Sequence, residues 1–276
     1  MKPQKSFNEL LNFSILIIDK PSGPTSFTIT NYIRKYLNLS KTSHLGTLDP
    51  QVSGVLPILL GRACRLSNYF MHSDKEYVGI MRVHKKVSKE KLDEVINEFI
   101  GKITQLPPVR SSVKRAERVR EIKSFSILEI KGKDVLFRTK VQAGTYIRKL
   151  CFDMGEKIGG AHMLELRRSQ ASIFTEKDPK FIDLYKFDEL VKNEDELKKY
   201  LIPADEALKK VLQVVQISDK NLKKILTGKP LMKDDFIKPN EMLNDKFAAF
   251  NDDKLIGIYK VINDGDILAK AEFVIN

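Results

Sequence analysis

The run SFSILEIKGKDVLFRTKVQA, residues 124–143, decides the fold. Val135, Phe137, Thr139 and Val141 alternate with Leu136, Arg138 and Lys140, the period-two pattern of a half-buried strand. Residues 124–130 suit a partner strand, and Lys131-Gly132-Lys133 between them suits a turn. The spacing predicts an antiparallel hairpin. Outward from it, residues 76–84 (EYVGIMRVH) read as a strand, and so do residues 163–174 despite their central Arg167-Arg168. Helical patterns lie between. Ser88 caps a helix over residues 88–100 whose apolar stripe is Leu92, Val95, Ile96 and Phe99. Residues 144–158 read as another helix. Near the N-terminus, residues 14–19 (SILIID) form a strand that enters the turn Lys20-Pro21-Ser22-Gly23-Pro24. Thr25 or Ser26 then caps a helix marked by Ile29, Tyr32, Ile33 and Tyr36. The mixture predicts an α+β fold, with a mixed, largely antiparallel sheet and flanking helices.

Two stretches resist a periodic reading. Residues 40–57 are rich in Gly, Ser, Thr and Pro, and residues 105–120 begin as an extended loop because of Pro107 and Pro108. A domain boundary is expected near Ile202-Pro203-Ala204, dividing residues 1–203 from 204–276. Beyond it, residues 219–226 read as a short helix ending at Gly228, and residues 247–250, 254–261 and 267–275 as short strands. That pattern predicts a small β-barrel-like module. It is too small for a comfortable core of its own, so it is expected to lean on the first domain, with residues 1–12 packed against it.

Composition bounds the function. The chain has 276 residues, 42% hydrophobic and 30% charged, enough for a packed core. No apolar run approaches the ~18–20 residues of a membrane helix, and no signal-peptide core is visible, so a cytoplasmic protein is expected. Cys64 and Cys151 are too few for a disulfide framework. Residues 201–276 carry 12 basic and 12 acidic side chains, so the whole excess of +12 lies in residues 1–200. Such a field attracts polyanions, although a basic, solvated surface would carry the same charge.

The sequence has no nucleotide-binding glycine fingerprint, and its four histidines show no metal-ligand spacing. Asp49 is unusual. It sits between Leu48 and Pro50 in a loop bearing Gly46 and Gly54, and reads either as a turn-former or as a reactive acid. His44, in the same loop, is either a packed residue or a contact. Arg148 lies in the first turn of a helix, where the dipole disfavours a cation, so an anionic partner is expected. Arg110, Lys114, Arg115, Arg118 and Arg120 surround one acid, Glu117, a density that suits a phosphate backbone or a solvated face.

Five motifs in order make a resemblance: LGTLDPQVSGVLPILLGRACRL (45–66), KEYVGIMRVH (75–84), QLPPVRSSVKR (105–115), GTYIRKL (144–150) and AHMLELRR (161–168). Together they resemble the TruB/dyskerin family of RNA pseudouridine synthases, over roughly residues 18–174. The DPxVSG form of the loop and the short path from EYVGIMRVH to QLPP look most like the archaeal dyskerin branch. The tail, with IGIYK and GDILAKAEFVI, is similar to a PUA RNA-binding domain. Ser43 and Leu45 flank His44 where the family usually has glycine and a small residue.

The resemblance implies roles. Asp49 matches the catalytic aspartate, as nucleophile at C1′ or base at C2′, in a reaction that requires no cofactor or metal. Arg148 matches its partner, which would hold the carboxylate ionised in a dry pocket. Tyr77 matches the aromatic that stacks on the target base, and Leu166 an apolar wall of the uracil pocket. His44 matches the residue that fills the space left by the flipped nucleotide. Tyr146, Lys114, Arg115 and Arg168 complete the expected substrate-binding set, with Arg167 as a further RNA or structural contact. The implied partners are an H/ACA guide RNA, an rRNA or tRNA substrate, and two small particle proteins of the zinc-ribbon-like and glycine-arginine-rich types. A kink-turn-binding ribosomal-like protein would join through the guide, without membrane contact or a tight homo-oligomer. Guide-free modification of the tRNA T-loop is the alternative. A non-catalytic RNA-binding scaffold is the rival of another class, and it gives no reason for Asp49, Tyr77 and Arg148 to occur together.

Overall fold

The computed structural model describes residues 5–106, 115–238 and 242–275. Lys114 and Arg110 therefore lie outside the described residues. The first part of the chain runs α1 (Phe7–Asn12), β1 (Ser14–Lys20), α2 (Ser26–Tyr36), β2 (Thr42–His44) and β3 (Ser53–Leu60). A 3₁₀ turn over Gly61–Leu66 leads into α3 (Ser67–Met71), β4 (Lys75–Val83) and α4 (Lys89–Phe99). Then come β5 (Gly101–Gln105), β6 (Arg118–Lys131), β7 (Asp134–Val141), α5 (Ile147–Glu156), β8 (Ala161–Ala171), β9 (Phe174–Thr175) and β10 (Phe181–Ile182). Helices α6 (Leu184–Leu190), α7 (Glu194–Tyr200) and α8 (Ala204–Leu208) follow, with β11 (Ile202–Pro203) between the last two. The last part holds β12 (Gln213–Gln216), α9 (Leu222–Leu226), β13 (Leu231–Met232), β14 (Lys246–Asn251), β15 (Lys254–Asp264) and β16 (Ile267–Val274).

The main sheet has the order β10-β1-β3-β8-β4-β7-β6-β5, with β11, β2 and β9 attached to β1, β3 and β8. It is mixed and largely antiparallel, as predicted; β1–β10 and β3–β8 are its parallel pairs. The hairpin around Gly132 is present, and Val135, Phe137, Thr139 and Val141 are all buried on one face. That face packs with α4 and α5 into one core that includes Leu92, Val95, Ile96, Leu150 and Met154.

Several boundaries differ from the sequence reading. The first hairpin strand starts at Arg118 rather than 124, because residues 118–122 pair with β5, a short strand with few apolar side chains. Helix α5 starts at Ile147 rather than 144, because Gly144 has φ +81° and Tyr146 is extended. Strand β8 ends at Ala171, where Ser172 at φ +59° turns the chain into β9. Within residues 40–57 lie β2 and the start of β3. All of β3 after Ser53 is buried, so it is a continuous apolar run without alternation.

The second sheet has the order β12-β14-β15-β16-β13. Just past its two edge strands, Ile217 pairs with Phe236, which draws the edges together into a partly closed barrel. Strands β12 and β13 join the three read from sequence. Its face packs on the first sheet: Ala248, Phe250, Ile258 and Phe273 share a core with Ile15, Ile17, Val55 and Leu59. The N-terminal helix is a correction. Leu10 of α1 is buried with Ile33, Phe187 and Leu197, against the first sheet's own helices rather than the second sheet. Among the described residues, the flanking Phe13 reaches across, stacked 6.4 Å from Phe273, and Lys5 pairs with Asp205.

Candidate active site

The parallel β3–β8 pairing joins the two halves of the main sheet, and the Asp49 loop sits at that seam. Ser53 pairs with Arg167 and Gly54 with Arg168. Gly54 has φ +104°, and a Cβ there would lie 2.3 Å from the Arg168 carbonyl oxygen. Only glycine lets the strands meet.

The loop is held from four directions. Ser26, fully buried at the start of α2, accepts the Leu48 N–H at 2.8 Å and donates to the Leu48 carbonyl at 3.1 Å. The Gly23 N–H donates to the Pro50 carbonyl at 2.9 Å. Lys20, also fully buried, donates from Nζ to the carbonyls of Pro21, Pro50 and Val52 at 2.8, 2.9 and 2.8 Å. Arg168 donates from Nε to Val55 O at 2.9 Å and from Nη2 to Gly46 O at 3.1 Å. Inside the loop, the Val52 N–H closes on the Asp49 carbonyl at 3.0 Å. The backbone on both sides of Asp49 is therefore pinned, while its side chain stays outside.

That side chain forms an ion pair with Arg148. Arg148 is placed by the start of α5, which has no side-chain N-cap. Gln105, at the end of β5 and 2% exposed, takes over: its Oε1 accepts the Tyr146 N–H at 3.0 Å and its Nε2 donates to the Tyr146 carbonyl at 3.2 Å. Leu48 and Val52 on one side, and Ile147 on the other, sink into the same apolar cluster as Tyr77 and Leu166. Leu166 lies opposite Gly79 in the strand register, and a Cβ on Gly79 would meet its Cδ1 at 2.8 Å. The missing side chain at Gly79 makes room for the leucine beside Tyr77.

Asp49 and Arg148 are thus in direct contact, Tyr146 lies two residues before Arg148, and Tyr77 and Leu166 share the apolar cluster beneath the loop. His44 flanks it in β2, half-buried, with its Nδ1 buried and unpartnered among the described residues. Burial, and secondarily Arg168, pushes its pKa below the ordinary histidine value, favouring neutral imidazole. Leu45 beside it is buried and Ser43 pairs with Leu59 of β3, so both departures from the family pattern serve the loop's packing. Arg115 is exposed just before β6.

Two expectations are corrected, for Arg168 and for the dryness of the pocket, and Arg167 takes the structural one of its two expected roles. Arg168 is only 1% exposed and spends its guanidinium on the loop carbonyls and Tyr77, so it supports the site from beneath and cannot meet a phosphate. Arg167 is held by Asp19 and Glu176. The pocket is not dry in the free chain: the Asp49 and Arg148 side chains keep 51% and 54% of their exposure. Lys20, Ser26 and Gln105 were not singled out by sequence. Lys20 and Gln105 open the proline motifs KP and QLPP, and only the fold shows what their side chains reach.

Lys75 adds a titratable group under the loop. It is buried, donates to Met71 O and Ser73 O at 2.6 and 2.5 Å, and its pKa falls to about 8 through burial and the nearby Arg168. A lysine whose pKa is lower folded than unfolded opposes folding when protonated. That opposition is absent above the unfolded value near 10.5 and complete below about 8. Raising the pH from 8 to 10 should therefore increase the Tm of the wild type relative to Lys75→Met. A pH-independent Tm difference in calorimetry would count against this.

No group of three or more His, Cys, Asp or Glu side chains capable of holding a metal gathers among the described residues. No helix there is long and apolar enough to cross a membrane.

The sequence profile of the TruB family pseudouridylate synthase N-terminal domain matches residues 34–147, and that of the tRNA pseudouridylate synthase B C-terminal domain matches residues 148–209. The chain belongs to the TruB family. It is 42% identical over 217 residues to a probable tRNA pseudouridine synthase B of Methanocaldococcus jannaschii, covering 77% of this chain and 65% of the relative. A second such relative, from Methanothermobacter thermautotrophicus, is 50% identical over 168 residues, covering 60% of this chain and 52% of that one. The chain thus spans less than two-thirds of the length of these curated relatives. Among solved structures it is similar to one in a crystal structure of a Cbf5-Nop10-Gar1 complex, with TM-score 0.86 and 36% identity over 98% of this chain and 87% of the other. A structure of an H/ACA RNP bound to a substrate RNA containing 2′-deoxyuridine gives TM-score 0.85 and 34% identity, with 98% and 87% coverage. This TruB-family chain therefore has the fold predicted from its five motifs and, for the C-terminal barrel, from the strand pattern of its tail.

Proposed function

We propose that this chain isomerises specific uridines to pseudouridine in RNA, as the catalytic subunit of an H/ACA guide-RNA particle. The observation that carries the reading is the Asp49–Arg148 pair, set on a pinned loop beside Tyr77 and Leu166. The reaction breaks the C1′–N1 bond, turns the base, and joins C1′ to C5. The C5 proton is lost and N1 gains one, so atoms balance without an external reactant. Asp49 serves as nucleophile at C1′ or base at C2′. Arg148 favours its ionised form, an effect that strengthens once RNA displaces water from the half-open site. Tyr77 presents an aromatic face to the base, worth about 1–3 kcal/mol in stacking. Leu166 walls the uracil, His44 fills the vacated stack, and Lys114 with Arg115 meets the backbone.

In this reading residues 1–203 form the catalytic domain, and residues 204–276 a PUA-type module for the guide RNA's end. Its zero net charge predicts that most of the salt dependence of RNA binding arises from residues 1–200. The partners are the guide RNA, the substrate RNA and the particle's small proteins, in the cytoplasm. Likeness over nearly the whole chain to the Cbf5 structures supports the guided form. The tRNA pseudouridine synthase B relatives support guide-free action on tRNA as the second reading. Tritium release from 5-tritiated uridine in RNA separates them. Release only with guide RNA, matching substrate and particle proteins supports the first. Release from unmodified tRNA by the chain alone supports the second. Bound RNA without release in either arm would overturn both.

A further inference from the structure

We infer that the cleft between α2 and β2 is a second nucleotide subsite, which takes an unpaired base of the substrate strand beside the target uridine. This rests on the RNA reading above. The cleft has a volume of about 200 Å³ and is lined by Phe27, Asn31 and Arg34 of α2 and by Thr42, Ser43 and His44 of β2.

Its walls are fixed to each other and to the Asp49 loop. Thr42 donates from Oγ1 to the Thr30 carbonyl at 3.1 Å, and Thr30 in turn donates to the Ser26 carbonyl at 2.7 Å. Ser26 is the residue before Phe27 and holds both backbone groups of Leu48, the residue before Asp49. That chain of bonds limits the Phe27–Asp49 Cα separation to roughly 14 Å from standard backbone dimensions. One RNA strand can reach both. His44 belongs to both places, since it flanks the Asp49 loop and lines the cleft.

The side chains match a nucleotide. Phe27 is 73% exposed although it is a large apolar residue in the first turn of a well-packed helix. Its neighbours along the buried stripe, Ile29 and Ile33, are 2% and 0% exposed, so the core does not need it. An aromatic ring on a polar rim offers a stacking face that any base can use. Arg34 donates from Nε and Nη2 to Asn31 Oδ1 at 3.2 and 3.1 Å. That contact orients the Asn31 amide, whose NH₂ is then its remaining hydrogen-bonding edge, a donor suited to a base carbonyl. It also fixes the guanidinium at the rim where a phosphate would pass. The cleft lies in the half of the chain that carries all the net positive charge.

The test measures binding and turnover with the full chain. Fluorescein-labelled oligouridylate is the binding probe. Phe27→Ala should weaken binding about tenfold, as expected for one stacked base. Arg34→Gln should lower the slope of log affinity against log salt by about 0.7, the value of one phosphate contact on a single strand, and Arg34→Lys should restore it. Tyr185→Ala, which removes an aromatic that is 84% exposed and does not line the cleft, should bind like wild type. Wild-type affinity and slope in both Phe27→Ala and Arg34→Gln would overturn the subsite, as would failure of the wild type to bind the probe. Parallel tritium release keeps the two readings apart. Release by the wild type with unaltered binding in the variants sinks the subsite alone. No release by the wild type, with binding weakened as expected in the variants, sinks the isomerase reading alone.

Discussion

Asp49→Ala is expected to abolish tritium release, lowering it on the order of a thousandfold or more, while RNA binding stays at least as tight as in the wild type. The first half follows from chemistry: neither route, attack at C1′ nor proton removal at C2′, proceeds without the carboxylate. The second half follows from electrostatics. The substitution removes an anion from a basic surface and leaves Arg148 as an unpaired cation facing RNA. Because both side chains are about half exposed, no buried charge is stranded, and the stability cost should stay within about 1 kcal/mol. Asp49→Asn keeps the volume and should behave in the same way. Residual activity above a hundredth of wild type in either variant would remove Asp49 from the reaction. Loss of RNA binding would instead make it a structural turn-former.

Lys20→Met should destabilise the fold by about 1–3 kcal/mol and suppress turnover even at temperatures where the variant is folded. Two effects oppose each other. The buried ammonium is costly, and burial together with Arg168 lowers its pKa, so methionine removes a desolvation penalty. Against that, the Val52 carbonyl loses its ammonium donor in a buried site, while the Pro50 carbonyl keeps the Gly23 N–H and Pro21 lies at the surface. An unmatched buried acceptor costs about 1–3 kcal/mol, and together with the lost bonds to the other two carbonyls it outweighs the relief. Two of the three, Pro50 and Val52, directly follow Asp49, so the damage falls on the Asp49 loop first. Urea unfolding gives the stability change, and tritium release on folded protein gives the activity. An unchanged urea midpoint, or a destabilised protein with full turnover when folded, would show that the ammonium does not hold the loop.

The residues read as a site from sequence and those that support it differ in kind. Asp49 and Arg148 stand out because each breaks a local rule, an acid locked before proline and a cation at the wrong helix end, whereas Tyr77 looks like an ordinary strand aromatic and is marked only by the family resemblance. Lys20, Ser26 and Gln105 break none. A lysine before proline or a serine at a helix start is ordinary in isolation. Their importance comes from carbonyls and N–H groups that belong to residues 30, 22 and 41 positions away. Arg168 shows the reverse error. A pair of arginines in a strand reads as a phosphate contact, but strand alternation sends Arg167 to Asp19 and Glu176 and Arg168 into the core.

Local pattern alone determined the β6–β7 hairpin, strands β1 and β4, helices α2 and α4 and the three long strands of the second sheet. In each of these, the period of apolar residues and a capping or turn residue agree within a few positions. It also determined the family, through five motifs in order. Tertiary structure decided the rest. It made a strand of the aperiodic run in β3, because burial on both faces erases alternation. It delayed α5 until Gln105 could cap it, and it placed Asp49 on the seam where Gly54 lets two strands meet. Those outcomes depend on which backbone groups lie across a distant pairing, and a backbone group looks the same in every residue of the sequence.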